Sequence, residues 1–286
     1  MISTPRYLGR GSWLGSRDPR IPIVVGVLAA ATVIQIWDIR IVAVLFALAQ
    51  VYYRAARIPF RLVRRQWALA IAFVSILVLV NTILTGGEIG NFDQTDLHPL
   101  FYLPLIGTPI SAESLSYGAT QLLRFLTFIT IGFPVAYAIA PGDLGPALAR
   151  LRIPEKFAFG VDLTYRFIPS LASDLRETID AQRVRGYEWD RGKGGPAGRI
   201  RRTVPLIVPL TMNAIVGAED TIDAMDLRGF GTGPRTWLRE LRYDRSDRSV
   251  LVLALMIFVA ITIASVLGLT KLWVFPPLLT LAAGRL

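Results

Sequence analysis

Between residues 67 and 85 the chain carries no charged side chain. A helix of that length rises about 28 Å, close to the roughly 30 Å of a bilayer's hydrocarbon core. Further apolar runs occupy 21–37, 39–53, 115–140 and 250–270. Runs of this kind leave little choice of fold: in lipid every backbone polar group must be satisfied internally, and a helix does so within one segment. The expected fold is therefore an all-α polytopic membrane protein. The composition agrees, with 53% hydrophobic residues and a mean hydropathy of +0.48. Charged residues make up 18%, against about 25% in soluble domains.

The runs 21–37 and 39–53 are short for spans. They read as a hairpin with Asp38 and Arg40 at a tight connection, lengthened by the interfacial residues Trp37, Tyr52 and Tyr53. The first run resembles a secretory signal, but it exceeds a usual signal core and a second run follows at once, so a retained span is the better reading. The run 115–140 is interrupted by Arg124 and ended by Pro141-Gly142. An intramembrane arginine is either functional or an anchor that snorkels or pairs, here with Glu113. Five spans are expected. A sixth arises if the apolar tail 272–286, broken by Pro276-Pro277, spans instead of capping.

Charge sets the orientation. The net charge is +10. Arg6, Arg10, Arg17 and Arg20 lie in residues 1–20, which read as a flexible basic tail, and Arg54, Arg57, Arg61, Arg64 and Arg65 follow the second run. No Asp or Glu occurs between Asp38 and Glu88, and no Lys or Arg between Arg65 and Arg124. The positive-inside rule then places the N-terminus and the arginine turn in the cytoplasm and the loop holding Glu88, Asp93 and Asp96 outside. The expected organisation is a tail at 1–20, a membrane region with four spans at 21–140, a cytoplasmic region at 141–249, and a final span with its tail at 250–286. The cytoplasmic region holds 18 Lys/Arg against 15 Asp/Glu. That near-balance speaks against nucleic acid as a partner.

Two long helices are legible in this region. From Glu155, the positions Phe157, Val161, Thr164, Ile168, Leu171, Leu175 and Ile179 recur at steps of 3 and 4, one helix face. Pro154 stands at the entry, Pro169 inside, where it should kink the helix, and Gly186 past the end. From about Ile200, Val204, Val208, Thr211, Ile215, Ala218, Ile222 and Met225 form a second stripe with a 3.5-residue repeat. Gly229 occupies the stop position. Residues 203–218 carry no charge, and Pro205 and Pro209 lie among them. An uncharged stripe near the cytoplasmic interface is either a binding face, with Val208, Thr211 and Ile215 at its centre, or a face buried against the protein's own spans.

Several sequence features invite site readings and fail them. Gly186…Gly192-Lys193-Gly194 has the wrong spacing for a phosphate loop, lacks the Ser or Thr after Lys, and follows no strand. Gly229–Gly233 follows a helix, unlike a dinucleotide fingerprint. His98 with Asp93 and Asp96 is more simply a solvated turn than a metal site. There is no Cys, so disulfides and thiolate metal sites are excluded. No cofactor, metal or catalytic residue is expected.

The strongest motif is repeated. Ala181-Gln182-Arg183-Val184-Arg185-Gly186 closes the first helix and Ala224-Met225-Asp226-Leu227-Arg228-Gly229-Phe230 the second. Ala and the final Arg are four apart and share a face, so a small residue admits a partner beneath a five-donor cation that never titrates. The helix dipole also favours a cation there. With Leu151-Arg152-Ile153-Pro154 and Tyr165-Arg166-Phe167-Ile168-Pro169, these motifs resemble the transmembrane T component of energy-coupling factor (ECF) transporters, the group that includes cobalt and biotin transport permeases. The detailed resemblance covers about 141–231. It implies a non-enzymatic subunit of a cell-membrane importer for a vitamin or metal ion. It implies that two cytoplasmic ATPase subunits are docked through Ala181, Arg183, Arg185, Gly186, Ala224, Arg228 and Gly229. A small membrane substrate-binding S component is implied on the hydrophobic face. Val184 and Leu227 stand where the family often has Ala. The rival, a self-sufficient permease or membrane enzyme, needs carboxylates or His within spans, and the long runs contain none.

Overall fold

The computed structural model describes residues 12–85, 99–102, 109–187, 196–233, 237, 241–271 and 273–276. The turn at Asp93, Asp96 and His98, and the Gly192-Lys193-Gly194 segment, lie outside them. In chain order the elements are α1 (Arg20–Ile34), α2 (Ile39–Ala55), α3 (Phe60–Thr85), β1 (Pro99–Tyr102), β2 (Pro109–Ser111), α4 (Ala112–Ala138), α5 (Leu144–Arg150), α6 (Glu155–Val184), α7 (Pro196–Leu227) and α8 (Arg245–Val266). The chain is an all-α polytopic membrane protein. Its two short strands pair antiparallel ahead of α4, an addition to the helical pattern expected from the sequence.

The chain forms two compact units, one of residues 1–140 with 242–286 and one of 141–241. Residues 242–249, grouped with the cytoplasmic stretch by their charge, cluster with the membrane unit.

In the membrane unit α4 is the hub: α1, α2 and α3 pack on it, and α8 packs on α1. The segments Phe60–Thr82, Ala112–Ala138 and Arg245–Val266 are long and apolar enough to cross a bilayer. Helices α1 and α2, of 15 and 17 residues, are the short pair expected. Asp38 caps α2, its carboxylate accepting from the Arg40 N–H. On the buried face of α4, the hydroxyls of Ser116, Thr120, Thr127 and Thr130 each donate to the carbonyl four residues earlier. These polar side chains are thereby satisfied within their own helix, which is what an apolar surrounding demands.

Arg124 is 6% exposed. It does not snorkel. It donates to the Ile36 carbonyl and to Gln121 Oε1, and its guanidinium lies 4.2 Å from the centre of the Trp37 ring. It therefore pins the α1–α2 connection to α4. The chain after α8 closes the same end: Trp37 N–H donates to the Thr270 carbonyl and Phe275 N–H to Ser116 Oγ. Thr270 and Phe275 thus lie against this end of the bundle.

The described residues ahead of α1 are packed. Leu14 is buried with Ala56, Ile58 and Val63, and Arg20 makes a two-point ion pair with Asp18 while lying over the Tyr243 ring. Residues 12–20, part of the flexible tail expected over 1–20, are packed, because Leu14 needs burial and Arg17 and Arg20 find fixed partners.

In the second unit α5 packs on α6 and α6 on α7. Gly145 makes the first contact possible: a Cβ there would come within 2.6 Å of the Asp162 Cβ. Helix α6 starts after Pro154, as expected, and runs through Pro169 as one element. Helix α7 likewise runs through Pro205 and Pro209. Each proline removes one internal hydrogen bond.

Candidate docking site

The two Arg-Gly ends have the same backbone geometry. Gly186 has φ +84° and Gly229 φ +65°. In the first end Gly186 N–H donates to the Arg183 carbonyl and Tyr187 N–H to the Gln182 carbonyl. In the second Gly229 N–H donates to the Asp226 carbonyl and Phe230 N–H to the Met225 carbonyl. These are two Schellman caps, each with Arg as the last residue before a left-handed glycine.

The cap alone is not the signature. Helix α8 ends in the same way, with Gly268 at φ +74° and the same pair of bonds, but with Leu267 in the Arg position. What sets the other two apart is their Ala and Arg, which α8 replaces with Ile263 and Leu267; the exposed aliphatic side chain is shared, Val266 of α8 being 83% exposed. Val184 is 90% exposed and Leu227 89%. Ala181, Arg185, Ala224 and Arg228 are exposed as well. Each tip thus shows solvent an alanine, a bare aliphatic side chain and an arginine.

The tips differ in charge. Arg183 lies beside Arg185 and pairs with Asp180 at 3.3 Å. Its counterpart in the second tip is Asp226, next to Arg228. Residues 180–186 therefore carry two cations and one carboxylate, whereas 223–229 carry two carboxylates and one cation.

The aromatic after each glycine, Tyr187 and Phe230, was missed as a matched pair. Aligning the two repeats shows it directly. The Phe230 ring lies tilted against Phe159, 4.5 Å between centroids, tying the end of α7 to the start of α6. The same contact gives the second tip a fixed base.

The apolar stripes of α6 and α7 are largely open. Phe157, Ile168 and Leu171 are exposed on α6. On α7 Val208 is 55% and Ile215 50% exposed, and Thr211 is exposed too. The expected packing residues thus lie together on an accessible face. By contrast, the groove among α1, α2, α4 and α8 is lined by Val25, Ala29, Leu45, Leu48, Leu253 and Ile257, with Thr32 and Tyr52 its polar members. It brings together no charged groups. Among the described residues no group of three or more His, Asp or Glu is placed to hold a metal ion.

The family model of cobalt transport protein, CbiQ, matches residues 17–238. The chain belongs to this family. The match runs from the packed N-terminal segment through both Arg-Gly tips, and the resemblance to the ECF T component stands with it. Among proteins similar to this chain is the energy-coupling factor transporter transmembrane protein EcfT of Listeria innocua, 28% identical over 256 residues, covering 86% of this chain and 92% of that protein. The protein of the same name from Lactococcus lactis is 28% identical over 272 residues, covering 90% and 95%. That from Exiguobacterium sibiricum is 31% identical over 153 residues, covering 50% and 57%. As a member of this family the chain is a multi-pass membrane protein of a transport system.

Proposed function

We propose that this chain is the energy-coupling transmembrane subunit of an ECF-type importer. Its two tips, Ala181–Gly186 and Ala224–Gly229, dock into two cytoplasmic ATPase subunits. Helices α6 and α7 carry the ATPase motion to a small membrane S component, which packs over Val208, Thr211 and Ile215 and binds the vitamin or metal ion. The N-terminus and residues 141–249 lie in the cytoplasm. The chain itself hydrolyses nothing. The observation that carries this reading is the pair of matched Schellman-capped tips, each exposing Ala, an aliphatic side chain and Arg. Their opposite charge balance suits two non-equivalent grooves.

Truncating one partner of a desolvated charge contact costs about 2–5 kcal/mol, a factor between tens and thousands in affinity. A single Arg185→Ala or Arg228→Ala leaves one contact, and the tethered second site benefits from effective concentration. Each single variant should keep some ATPase but lose most uptake. The double variant should lose the ATPases in co-purification, and Lys should rescue poorly because it lacks the planar fork. Full co-purification and uptake by the double variant would reduce both tips to ordinary helix ends.

A further inference from the structure

The α2–α3 turn combines a dense positive patch with an unpartnered apolar helix face, and the coupling role uses neither. Arg54, Arg61, Arg64 and Arg65 are all exposed, as is Arg57. No Asp or Glu lies between Asp38 and Glu88 to balance them. The turn that carries them is packed against the rest of the unit. Ala56, Ile58 and Val63 are buried around Leu14, and Arg57 is held in the left-handed region at φ +49°. Tyr53, Trp67, Phe133 and Tyr137 form an aromatic cluster at the same level. Such clusters sit at the headgroup plane of a bilayer.

Helix α3 continues the patch into the membrane. Arg65, Leu69, Phe73, Ile76 and Val80 follow at steps of 4, 4, 3 and 4, so they share one face, and all five are exposed. From Arg65 to Val80 the helix rises about 22 Å, longer than one leaflet's share of the hydrocarbon. Helix α3 packs on α4 alone among the described helix pairs that make extended contact. Its outer face is therefore cationic where headgroups lie and apolar where acyl chains lie.

We propose that this face is a binding surface for anionic phospholipid. The phosphate of the headgroup lies among Arg54, Arg61, Arg64 and Arg65, and an acyl chain follows Leu69, Phe73 and Ile76. Charge complementarity selects the occupant: a neutral lipid or an uncharged protein helix would meet the apolar half of the surface and leave four guanidinium groups without an anion. Positive-inside orientation needs basic residues near the spans. It does not need them aligned with an exposed apolar face on one helix. The proposal rests on membrane insertion and is independent of the coupling role.

The test uses the full chain in nanodiscs of phosphatidylcholine containing a minor fraction of phosphatidylglycerol, with retained lipid read by native mass spectrometry. Juxtamembrane cations each contribute about fivefold to anionic-lipid affinity, so Arg61→Gln/Arg64→Gln/Arg65→Gln should cut the preference for phosphatidylglycerol about a hundredfold. The charge-matched control Arg150→Gln/Arg166→Gln/Arg176→Gln should keep it. The folded Lys version of the test variant should also keep most of it, since a lipid phosphate accepts a point charge. Equal retention of the two lipids by the unaltered chain would overturn the proposal, and so would loss of preference in the Lys variant. Displacement of phosphatidylglycerol by millimolar inorganic phosphate would make this a free-phosphate site. A Gln variant that keeps its lipid but loses a co-purifying S component would assign the face to that partner.

Discussion

Arg17 reaches across 230 residues of sequence to Asp247, its Nη1 3.3 Å from the carboxylate oxygen. Asp247 is buried, and its other oxygen accepts the Asp244 N–H. The same guanidinium donates to Ser246 Oγ and lies over the Trp13 ring. The segment before α1 therefore clamps the start of α8, where the chain re-enters the membrane unit. Losing a charged partner of a buried hydrogen-bonded group costs about 1–3 kcal/mol. Arg17→Ala should lower the thermal midpoint in detergent, and a cycle with Asp247→Asn should show coupling of about 0.5–3 kcal/mol. Strict additivity of the two changes would mean that the clamp contributes nothing.

The clamp also predicts a response to acid. The Asp244 carboxyl is held below its ordinary range by the hydrogen bond from the Ser246 hydroxyl, then by the Arg245 N–H, with the Arg17 charge a smaller contribution. A depressed folded pKa contributes stability that is fully present above the unfolded value, near 4, and is lost as pH falls through the folded value. The start of α8 should loosen only below about pH 4. Asp244→Asn should flatten that acid limb of the thermal-midpoint profile, whereas an unchanged limb would place the titration elsewhere.

Glycine is required at the tips for its backbone, and this separates two kinds of Gly→Ala change. Gly186 and Gly229 are left-handed, and a Cβ on Gly229 would come within 3.2 Å of Thr232 Oγ1. Alanine there costs about 1–2 kcal/mol and should fray the turn that aims Arg185 or Arg228. Gly217 sits inside α7 with nothing within 4 Å of a built Cβ, so Gly217→Ala should gain about 0.5–1 kcal/mol. ATPase co-purification should fall for the first pair and hold for the third. Equal retention by all three would show that the cap geometry is not used in docking.

Arg124 is predicted to act through structure. Ile36 is fully buried, and Arg124→Leu leaves its carbonyl without this donor. The expected loss is about 1–3 kcal/mol of stability, with uptake falling in parallel. A variant that unfolds normally yet transports nothing would make Arg124 a functional intramembrane charge.

The open face of α7 has its own test. Val208, Thr211 and Ile215 are exposed together, and Ile215→Glu places a charge in the middle of an apolar contact. The S component should be released while the ATPases remain bound. Retention of both, with normal uptake, would move the S-component face elsewhere.

The apolar runs and the helix ends at the two Arg-Gly motifs are legible from sequence because they rest on local physics: the pattern ends the helices at Arg185 and Arg228, and the structure ends them one residue earlier, at Val184 and Leu227. A span is decided by its own length and charge, a helix end by a glycine that tolerates positive φ. The matched Ala and Arg of the two tips needed only helix periodicity. Tertiary structure decided whatever depends on distant pairing. The basic segment around Arg17 and Arg20 looked like a solvated tail, since nothing near it in sequence forecasts Asp247 or the Tyr243 ring. Arg124 looked able to snorkel until the Ile36 carbonyl, 88 residues earlier, was brought beside it. Residues 242–249 cluster with the membrane unit, where Tyr243, Asp244 and Asp247 meet Arg20 and Arg17. Composition reports how often a residue meets water on average, whereas burial of a single charge is settled by the one partner the fold delivers to it.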